Sequence, residues 1–300
     1  MTDSTLPPSS EPASAAPAAG RRLWVRHLTR FRYHGPVTDS FNETRLRPVS
    51  DDLQTCESFA LRLDPGAPTR DYQDFYRNRV DYFEVQTPHE QLEIEAVSVV
   101  RTRPDARSAP GPVPAAALDD RAVGVAHFDF LAATSYVPLE VPLRHEARQV
   151  LGDGARDLWR DALRLGEHVH SIMAYVPNAT KVNTRVLDVL ETRRGVCQDY
   201  AHLLLGLCRT MGIPARYVSG YFFNTTRPPD QLEASHAWVE IFLPGHGWRG
   251  YDPTHRREPD VNYVKLAIGR DYGDIRPVNG TFRGRGTREL QVEVQVRLAI

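Results

Sequence analysis

The spacing of apolar residues changes along this chain, and the change limits the folds that it can adopt. Between Leu23 and Thr102, short runs that favour strands are separated by Pro, Gly, Asp or Asn. The first run, RLWVRHLTRFRYHGPVTDS, alternates strictly, and we expect the Gly35-Pro36 turn to end it. Similar runs follow in NETRLRPV, ESFALRLDP, VDYFEVQTP and LEIEAVSVVRT. Together they predict a β-sandwich-like domain over residues 23–102.

A second domain of helices followed by strands is predicted over residues 123–300. Residues 103–122, rich in Pro and Ala, form a linker or long loop before it. Spacings of three and four predict amphipathic helices in LRHEARQVLG, DLWRDALRLGEHVHSIMAYV and TRVLDVLETRRG, the last capped at Gly195. Alternation returns in IPARYVSGYFF, SHAWVEIFLP and GWRGYDPT. The last strand, 289–300, either stays in this domain or returns to the N-terminal sheet.

Residues 1–22 and the overall composition indicate the setting in which the chain works. The Pro/Ala/Ser-rich residues 1–22 cannot bury enough apolar surface to order themselves, so we expect a disordered tail without the features of a secretion signal. A formal net charge of −1, from 37 basic and 38 acidic residues, argues against nucleic-acid or membrane partners. Three cysteines without a CxxC spacing suit a reduced, cytoplasmic location.

Two of the three cysteines lie in RRGVCQDYAHLLLGLCRTMG, residues 193–212. Cys208 falls in an apolar helical stripe and is interpreted as a core residue. Cys197 follows the break at Gly195 and is expected at the start of a helix. Free backbone N–H groups and the helix dipole favour a thiolate there, which makes Cys197 a candidate nucleophile. An ordinary cysteine at a helix start is the alternative.

A predicted hairpin brings a histidine and an aspartate together. In SHAWVEIFL, the alternate residues beginning at Ala237 form a core-facing set, and His236 and Trp238 point the other way. The short turn PGHG leads into GWRGYDPTH, which indicates antiparallel pairing. Asp252 then falls opposite a position near 238, within reach of His236. An aspartate so placed can orient an imidazole that acts as a general base.

The blocks GVCQDYAHLLLGLCRTMGIPARYVSGY, SHAWVEIFLPGHGWRGYDPTH and GRDYGDIRPVNGTF resemble bacterial transglutaminase-like proteins of the papain-like cysteine protease superfamily. VRHLTRFRYHGPVTDSFNETRLRP and DYFEVQTPHEQLEIEAVSVV are similar to the N-terminal β domain of that family. The resemblance implies an α+β fold whose papain-like core packs helices on an antiparallel sheet. It implies Cys197 as nucleophile, His236 as base and Asp252 as orienting residue, in acyl transfer on peptide or isopeptide amides of a peptide or protein substrate. No cofactor and no metal are implied.

Other residues near these motifs have open roles. The backbone N–H of Cys197 is expected to donate to the oxyanion, and Gln198 or Asn183 could be the second donor. Asp199 caps the helix or supports the site, and His202 supports the site or packs. Trp238 lines the cleft or packs. His246 and His255 lie in turns, where we expect solvated side chains.

Two other functions compete with hydrolysis or transamidation by the triad. A thioester-dependent N-acyltransferase would use the same three residues but would need an anion-binding patch, which the sequence does not show. A catalytically silent scaffold would use the cleft only for binding. The intact Cys197, His236 and Asp252 count against the scaffold. The natural substrate and the oligomeric state stay open.

Overall fold

The computed structural model describes residues 20–226, 235–284 and 287–299. Residues 1–19 of the predicted disordered tail lie outside the described residues, whereas Arg22, which we assigned to the same tail, is already part of the first strand. Within the described ranges, no helix is long and apolar enough to cross a lipid bilayer.

The described residues form strands at both ends of the chain, and the helices lie between them. The strands are β1 (Arg22–Thr44), β2 (Gln54–Asp64), β3 (Thr69–Gln73), β4 (Arg79–Val85), β5 (His89–Thr102), β6 (Ala174–Tyr175), β7 (Arg194–Gly195), β8 (Ala215–Phe222), β9 (Ser235–Leu243), β10 (Gly247–Tyr251), β11 (Tyr263–Gly269), β12 (Val278–Arg283) and β13 (Arg288–Leu298). The helices are α1 (Arg121–Ala126), α2 (Val141–Leu151), α3 (Leu158–Ile172), α4 (Val186–Thr192) and α5 (Cys197–Thr210).

Strand β1 belongs to both sheets of the N-terminal domain. Its first half pairs with β5 and β13, and its second half pairs with β4 and β12. The prediction that Gly35-Pro36 ends this strand is therefore wrong. Gly35 has φ +121°, a conformation that glycine adopts without steric cost, so the chain bends there and continues into the second sheet. Phe31, Phe83 and Leu92 fill the core of this domain.

The C-terminal strands complete the N-terminal domain. β13 pairs with β1 over eleven consecutive residues, from Leu298 opposite Leu23 to Arg288 opposite Tyr33. β12 pairs with the second half of β1, from Thr38 to Thr44. The chain therefore leaves the N-terminal sheets after β5 and returns to them at β12.

The second domain packs helices against an antiparallel sheet. Its strand order is β10-β9-β8-β11, and α5 packs on β8 and β9. Cys208 is buried together with Ala201, Leu204 and Leu205 of the same helix. The residues that face them from β9 are also buried: Ala237, Val239, Ile241 and Leu243. The α+β fold expected from the sequence is confirmed. Within residues 103–122, Val113 is buried and its carbonyl accepts the N–H of Leu158, which ties the connection to α3.

Helix α4 ends earlier than predicted. Its C-cap is Arg193, in the left-handed conformation with φ +55°, and Gly195 lies beyond it in β7. The guanidinium of Arg193 donates to both carboxylate oxygens of Glu146, at 3.0 Å each. These charge-assisted bonds offset the cost of left-handed backbone at a residue that has a Cβ.

The two domains share one core and several buried polar contacts. Leu23, Val25 and Val100 of the N-terminal domain belong to the same apolar cluster as helices α2–α5. Nδ1 of His27 lies 2.9 Å from the hydroxyl of Tyr221, and both side chains are buried. The N-terminal domain therefore acts as a fixed support for the strand β8, which lies beside the candidate site.

Candidate active site

Cys197 is the first residue of α5. The preceding Val196 is extended, and the chain enters the helix directly from β7. The cysteine side chain is half-buried, and its Sγ lies 3.8 Å from the carbonyl oxygen of Ser235, the first residue of β9. The thiol therefore lies between the start of a helix, where backbone N–H groups lack intrahelical partners, and the strand that carries His236.

The start of α5 is held by a buried carboxylate. Asp199 accepts the backbone N–H of Val196 at 2.8 Å and the hydroxyl of Thr180 at 2.6 Å. Gly195 lies against this carboxylate, because a Cβ at position 195 would come within 2.6 Å of the Asp199 Cβ. Asp199 therefore caps the helix and fixes the entry of the chain to Cys197, and Gly195 is required for close approach.

The hairpin of β9 and β10 brings His236 and Asp252 together. Tyr251 pairs with Val239, which places the next residue, Asp252, beside the position of Trp238 and near His236. Nε2 of His236 lies 2.7 Å from Oδ2 of Asp252. With Nε2 engaged, Nδ1 is the ring nitrogen available to Cys197. Both side chains of the pair are buried.

The Asp252 carboxylate is the centre of a larger hydrogen-bond network. Its Oδ2 accepts from Nδ1 of His255 and from the hydroxyl of Tyr263, each at 2.7 Å, in addition to His236. Its Oδ1 accepts the backbone N–H groups of Thr254 at 2.8 Å and His255 at 3.3 Å. Five donors surround one fully buried carboxylate, which fixes its position and keeps it ionised.

The electrostatics of the pair favour an imidazolium. Burial alone would lower the pKa of His236, but hydrogen bonds to Asp252 and Cys197, together with their charges, raise it to about 10. Burial would raise the pKa of Asp252, but its hydrogen bonds with His236 and His255 hold it far below the usual range of a carboxyl group. The arrangement can therefore accept a thiol proton onto His236 and stabilise the resulting charge.

Aromatic side chains enclose the ring of His236. The Trp238 ring lies 6.2 Å from it and packs edge-on against Tyr263 at 5.4 Å. Phe222 belongs to β8, which pairs with the strand of His236, and its ring lies 5.9 Å from the His236 ring. Trp238 is 2% exposed, so it packs beneath the histidine–aspartate pair instead of forming an open wall.

Two family models match this chain. Residues 23–101 match the bacterial transglutaminase-like N-terminal region, and residues 145–253, which contain Cys197, His236 and Asp252, match the transglutaminase-like superfamily. The chain belongs to the transglutaminase-like superfamily. The resemblance seen in the sequence motifs is thereby confirmed.

Three proteins that are similar to this chain come from bacteria. An uncharacterised protein of Mycobacterium leprae is 34% identical over 291 residues, which cover 93% of this chain and 99% of that protein. An uncharacterised protein of Mycobacterium tuberculosis is 31% identical, with 91% of each chain covered. A protein-glutamine gamma-glutamyltransferase of Pseudomonas aeruginosa is 36% identical, but over 30% of this chain and 15% of that protein.

A solved structure has the same overall fold. The crystal structure of a candidate cysteine protease from Cytophaga hutchinsonii superposes with a TM-score of 0.73 and covers 93% of this chain and 91% of that chain. The two sequences are 22% identical, so this likeness concerns the fold. Both the N-terminal β domain and the transglutaminase-like core lie within the shared part.

The residues with open roles take different places in this transglutaminase-like core. The side-chain amide of Gln198 donates to the carbonyl of Val182 at 3.0 Å, and Asn183 is exposed in the same segment before α4. His202 is fully buried, its Nε2 accepts the N–H of Tyr272, and burial lowers its pKa to about 3. His202 thus packs within the core, five residues after Cys197 on the same helix.

Sequence patterns missed two partners of Asp252. His255 is exposed in a turn, as the sequence predicts, but its Nδ1 also reaches back to the carboxylate three residues earlier, a contact that the prediction lacked. The spacing of three residues in DPTH was the available signal, since a tight turn brings such residues together. Tyr263 begins β11, whose sequence YVKLAIG does not alternate between apolar and polar residues, so no local pattern points to it.

One group of described residues has the composition of a metal site. His236, Asp252 and His255 have one ligand atom each within 4.8 Å of one another, and two imidazole nitrogens with a carboxylate oxygen suit Zn²⁺. The same atoms are already joined by hydrogen bonds of 2.7 Å, and Tyr263 donates to the shared oxygen. These hydrogen bonds already use the lone pairs of the shared carboxylate oxygen. The three residues therefore fit a hydrogen-bonded network better than a metal site.

Proposed function

We propose that this protein catalyses cysteine-dependent acyl transfer on peptide or isopeptide amides. Cys197 is the nucleophile, His236 the general base and Asp252 the orienting residue. The observation that carries the proposal is the 2.7 Å contact between His236 and Asp252 on a hairpin that begins beside the Cys197 thiol. Membership of the transglutaminase-like superfamily supports the same chemistry.

The first half of the reaction forms a thioester. His236 takes the thiol proton, and Sγ of Cys197 forms a bond to the amide carbonyl carbon. The backbone N–H of Cys197, at the start of α5, donates to the developing oxyanion. His236 then protonates the leaving amine as the C–N bond breaks. Asp252 holds Nε2 of His236, so that Nδ1 serves the sulfur and the leaving group.

The second half releases the acyl group to water or to an amine. His236 accepts a proton from the incoming nucleophile, which attacks the thioester carbonyl, and the thiol of Cys197 is released. Water gives hydrolysis, as in a protease or amidase, and a primary amine gives transamidation. The same residues serve both outcomes, so the substrate that enters the cleft decides between them. For the second oxyanion donor, Asn183 stays a candidate, whereas the Gln198 amide would have to leave Val182.

A substrate library tests this proposal. The purified protein is incubated with peptides that contain D-residues, isopeptide bonds or glutamine side chains, with and without a primary amine, and products are identified by mass spectrometry. We expect cleavage or amine incorporation by the wild type and none by Cys197→Ala. Cys208→Ala, which alters only a buried core cysteine, is the matched control and should keep the activity. Equal turnover by wild type and Cys197→Ala would contradict the proposed nucleophile.

A further inference from the structure

Strand β13 forms a long and regular edge of its sheet. It pairs with β1 through eleven consecutive residues without a bulge and, among the described residues, with no other strand. Its sequence, RELQVEVQVRL, contains neither the Pro nor the Lys that commonly protects an edge, and its four charged residues are two Arg and two Glu. The opposite edge strand, β2, is interrupted by a bulge between Cys56 and Ser58. The β13 edge is therefore the one better suited to accept another strand.

The main-chain groups that face this edge can be assigned from the ladder. Ala299 N–H donates to Arg22, and the carbonyl of Thr287 accepts from His34, so odd-numbered residues point their main-chain groups toward β1. In an antiparallel ladder these directions alternate along the strand. The even-numbered residues from Arg288 to Leu298 therefore point their N–H and C=O groups outward.

The side chains along this edge are apolar and partly uncovered. Leu290, Val292 and Leu298 are 59%, 47% and 53% exposed, whereas Val294 and Val296 between them are buried. All five lie on one face of β13, because they alternate in sequence. A strand added to the edge would extend this face and cover the three exposed residues.

The sequence of β13 is complementary to itself in the antiparallel direction. A two-fold axis at Glu293 places Leu290 opposite Val296 of the second copy, and Val292 opposite Val294. These residues are even-numbered, so their outward main-chain groups form the hydrogen bonds between the two strands. The odd-numbered residues pair as Glu289 with Arg297 and Gln291 with Gln295. Those are the non-hydrogen-bonded positions, at which opposed side chains approach most closely. Opposite charges and matched amides therefore face each other.

The charge of the residue on the axis is partly compensated within its own chain. Two Glu293 side chains would meet there, but each is already paired with Arg30 at 2.8 Å and lies 4.0 Å from Arg26 of its own chain. Both guanidinium groups also pair with a second carboxylate, Arg30 with Glu93 at 2.7 Å and Arg26 with Glu95 at 2.6 Å, so they compensate part of the Glu293 charge. The remaining repulsion across the axis opposes the pairing at one position, against two oppositely charged pairs at the ends of the strand.

We infer that β13 is a homodimerisation strand, which pairs antiparallel with β13 of a second copy about an axis at Glu293. The register uses all eleven residues of the strand and forms about twelve main-chain hydrogen bonds, two at each hydrogen-bonded pair. The result is one continuous sheet across two molecules. The inference rests on the β domain and does not depend on the chemistry of Cys197.

Charge exchange at the ends of the strand tests this inference. The association state of the full chain is measured by analytical ultracentrifugation over a wide concentration range. Glu289→Arg and Arg297→Glu each place like charges opposite one another twice per dimer, and each should raise the dimer dissociation constant about tenfold. The double variant, Glu289→Arg with Arg297→Glu, should return it to the wild-type value. An equimolar mixture of the two single variants should form a heterodimer.

Matched controls separate this edge from other surfaces. Arg70→Glu makes the same charge change as Arg297→Glu on β3, an edge strand that pairs with β4, and should leave the dissociation constant unchanged. Circular dichroism verifies that each variant is folded, and Val292→Lys is a second way to block the edge. A wild type that stays monomeric throughout, a dimer insensitive to all these changes, or a folded double variant that does not recover association would each overturn the inference.

Discussion

At the scale of single residues, the Asp252 carboxylate accepts hydrogen bonds from two histidines. Its Oδ2 accepts hydrogen bonds from His236, His255 and Tyr263, each at 2.7 Å. Of these three side chains, His236 is the one that lies beside the thiol of Cys197. The other two donors fix the carboxylate in the position that orients His236. We therefore regard His255 and Tyr263 as positioning residues for the proposed triad.

Substitution of His255 should slow the chemistry of Cys197 without abolishing it. Loss of a hydrogen bond to a buried charge costs about 1.5–3 kcal/mol, so His255→Ala should lower the rate of acyl transfer roughly tenfold or more. His255→Asn keeps a side-chain N–H donor and should recover part of the rate. The measurement is kcat/KM on a peptide found in the library experiment.

The matched control for this prediction is His246→Ala, which removes an exposed turn histidine from the same hairpin. It should leave kcat/KM unchanged. If His255→Ala and His246→Ala have equal rates, the contact of His255 with Asp252 does not position the triad.

At the scale of secondary-structure elements, the start of α5 is a close-packed junction. There is no room for a Cβ at Gly195 beside Asp199. The Asp199 carboxylate accepts hydrogen bonds from the backbone N–H of Val196 and the hydroxyl of Thr180. The sequence pattern predicts a helix C-cap at Gly195, but the need for glycine comes from the contact with Asp199. A junction of this kind fixes the direction in which Cys197 enters the helix.

Gly195→Ala should disturb this junction. The methyl group would displace the Asp199 carboxylate, and we expect a loss of about 1–3 kcal/mol in the free energy of unfolding together with a lower rate of acyl transfer. Chemical denaturation followed by circular dichroism gives the first quantity. Gly154→Ala is the control, because a Cβ there meets no atom within 4 Å. Equal stability of the two variants would show that the junction tolerates a side chain.

Sequence patterns predict those helices and strands that depend on residues close together in the chain. The apolar stripe of α5 and the hairpin of β9 and β10 are set by side-chain period and a short turn, and both are present. The bend at Gly35 was misread because the continuation of β1 depends on partners from β4 and β12 that lie far away in sequence. β11 lacks strict alternation because both of its faces are largely buried, so it was missed, and Tyr263 with it.

At the scale of the whole molecule, a buried histidine joins the two domains. His27 of β1 contacts Tyr221 of β8 and Thr29, and burial lowers its pKa to about 4. The folded protein therefore holds His27 neutral, whereas the unfolded chain protonates it near pH 6.5. Between these values the unfolded state binds more protons, so stability is present above pH 6.5 and is lost as the pH falls toward 4.

His27→Gln should reduce the acid slope of the stability profile, and His202, whose pKa burial lowers to about 3, should keep its own contribution to that slope. The difference of about 2.5 pKa units corresponds to roughly 3 kcal/mol, which the wild type loses between pH 6.5 and 4 and the variant does not. The measurement is the free energy of unfolding by urea across this pH range. His34→Gln, at an exposed histidine of the same strand, should keep the wild-type slope. Identical slopes for both variants would show that His27 does not control this loss.

The reactivity of the three cysteines tests the central claim most directly. Each thiol is followed by peptide mass spectrometry during reaction with iodoacetamide at pH 6, with Cys56 and Cys208, whose pKa values burial raises, as controls within the same chain. If His236 activates Cys197, Cys197 is alkylated at least tenfold faster than Cys56, and His236→Ala removes the difference. Alkylation of Cys197 no faster than Cys56, and unchanged by His236→Ala, would contradict the proposed nucleophile and base.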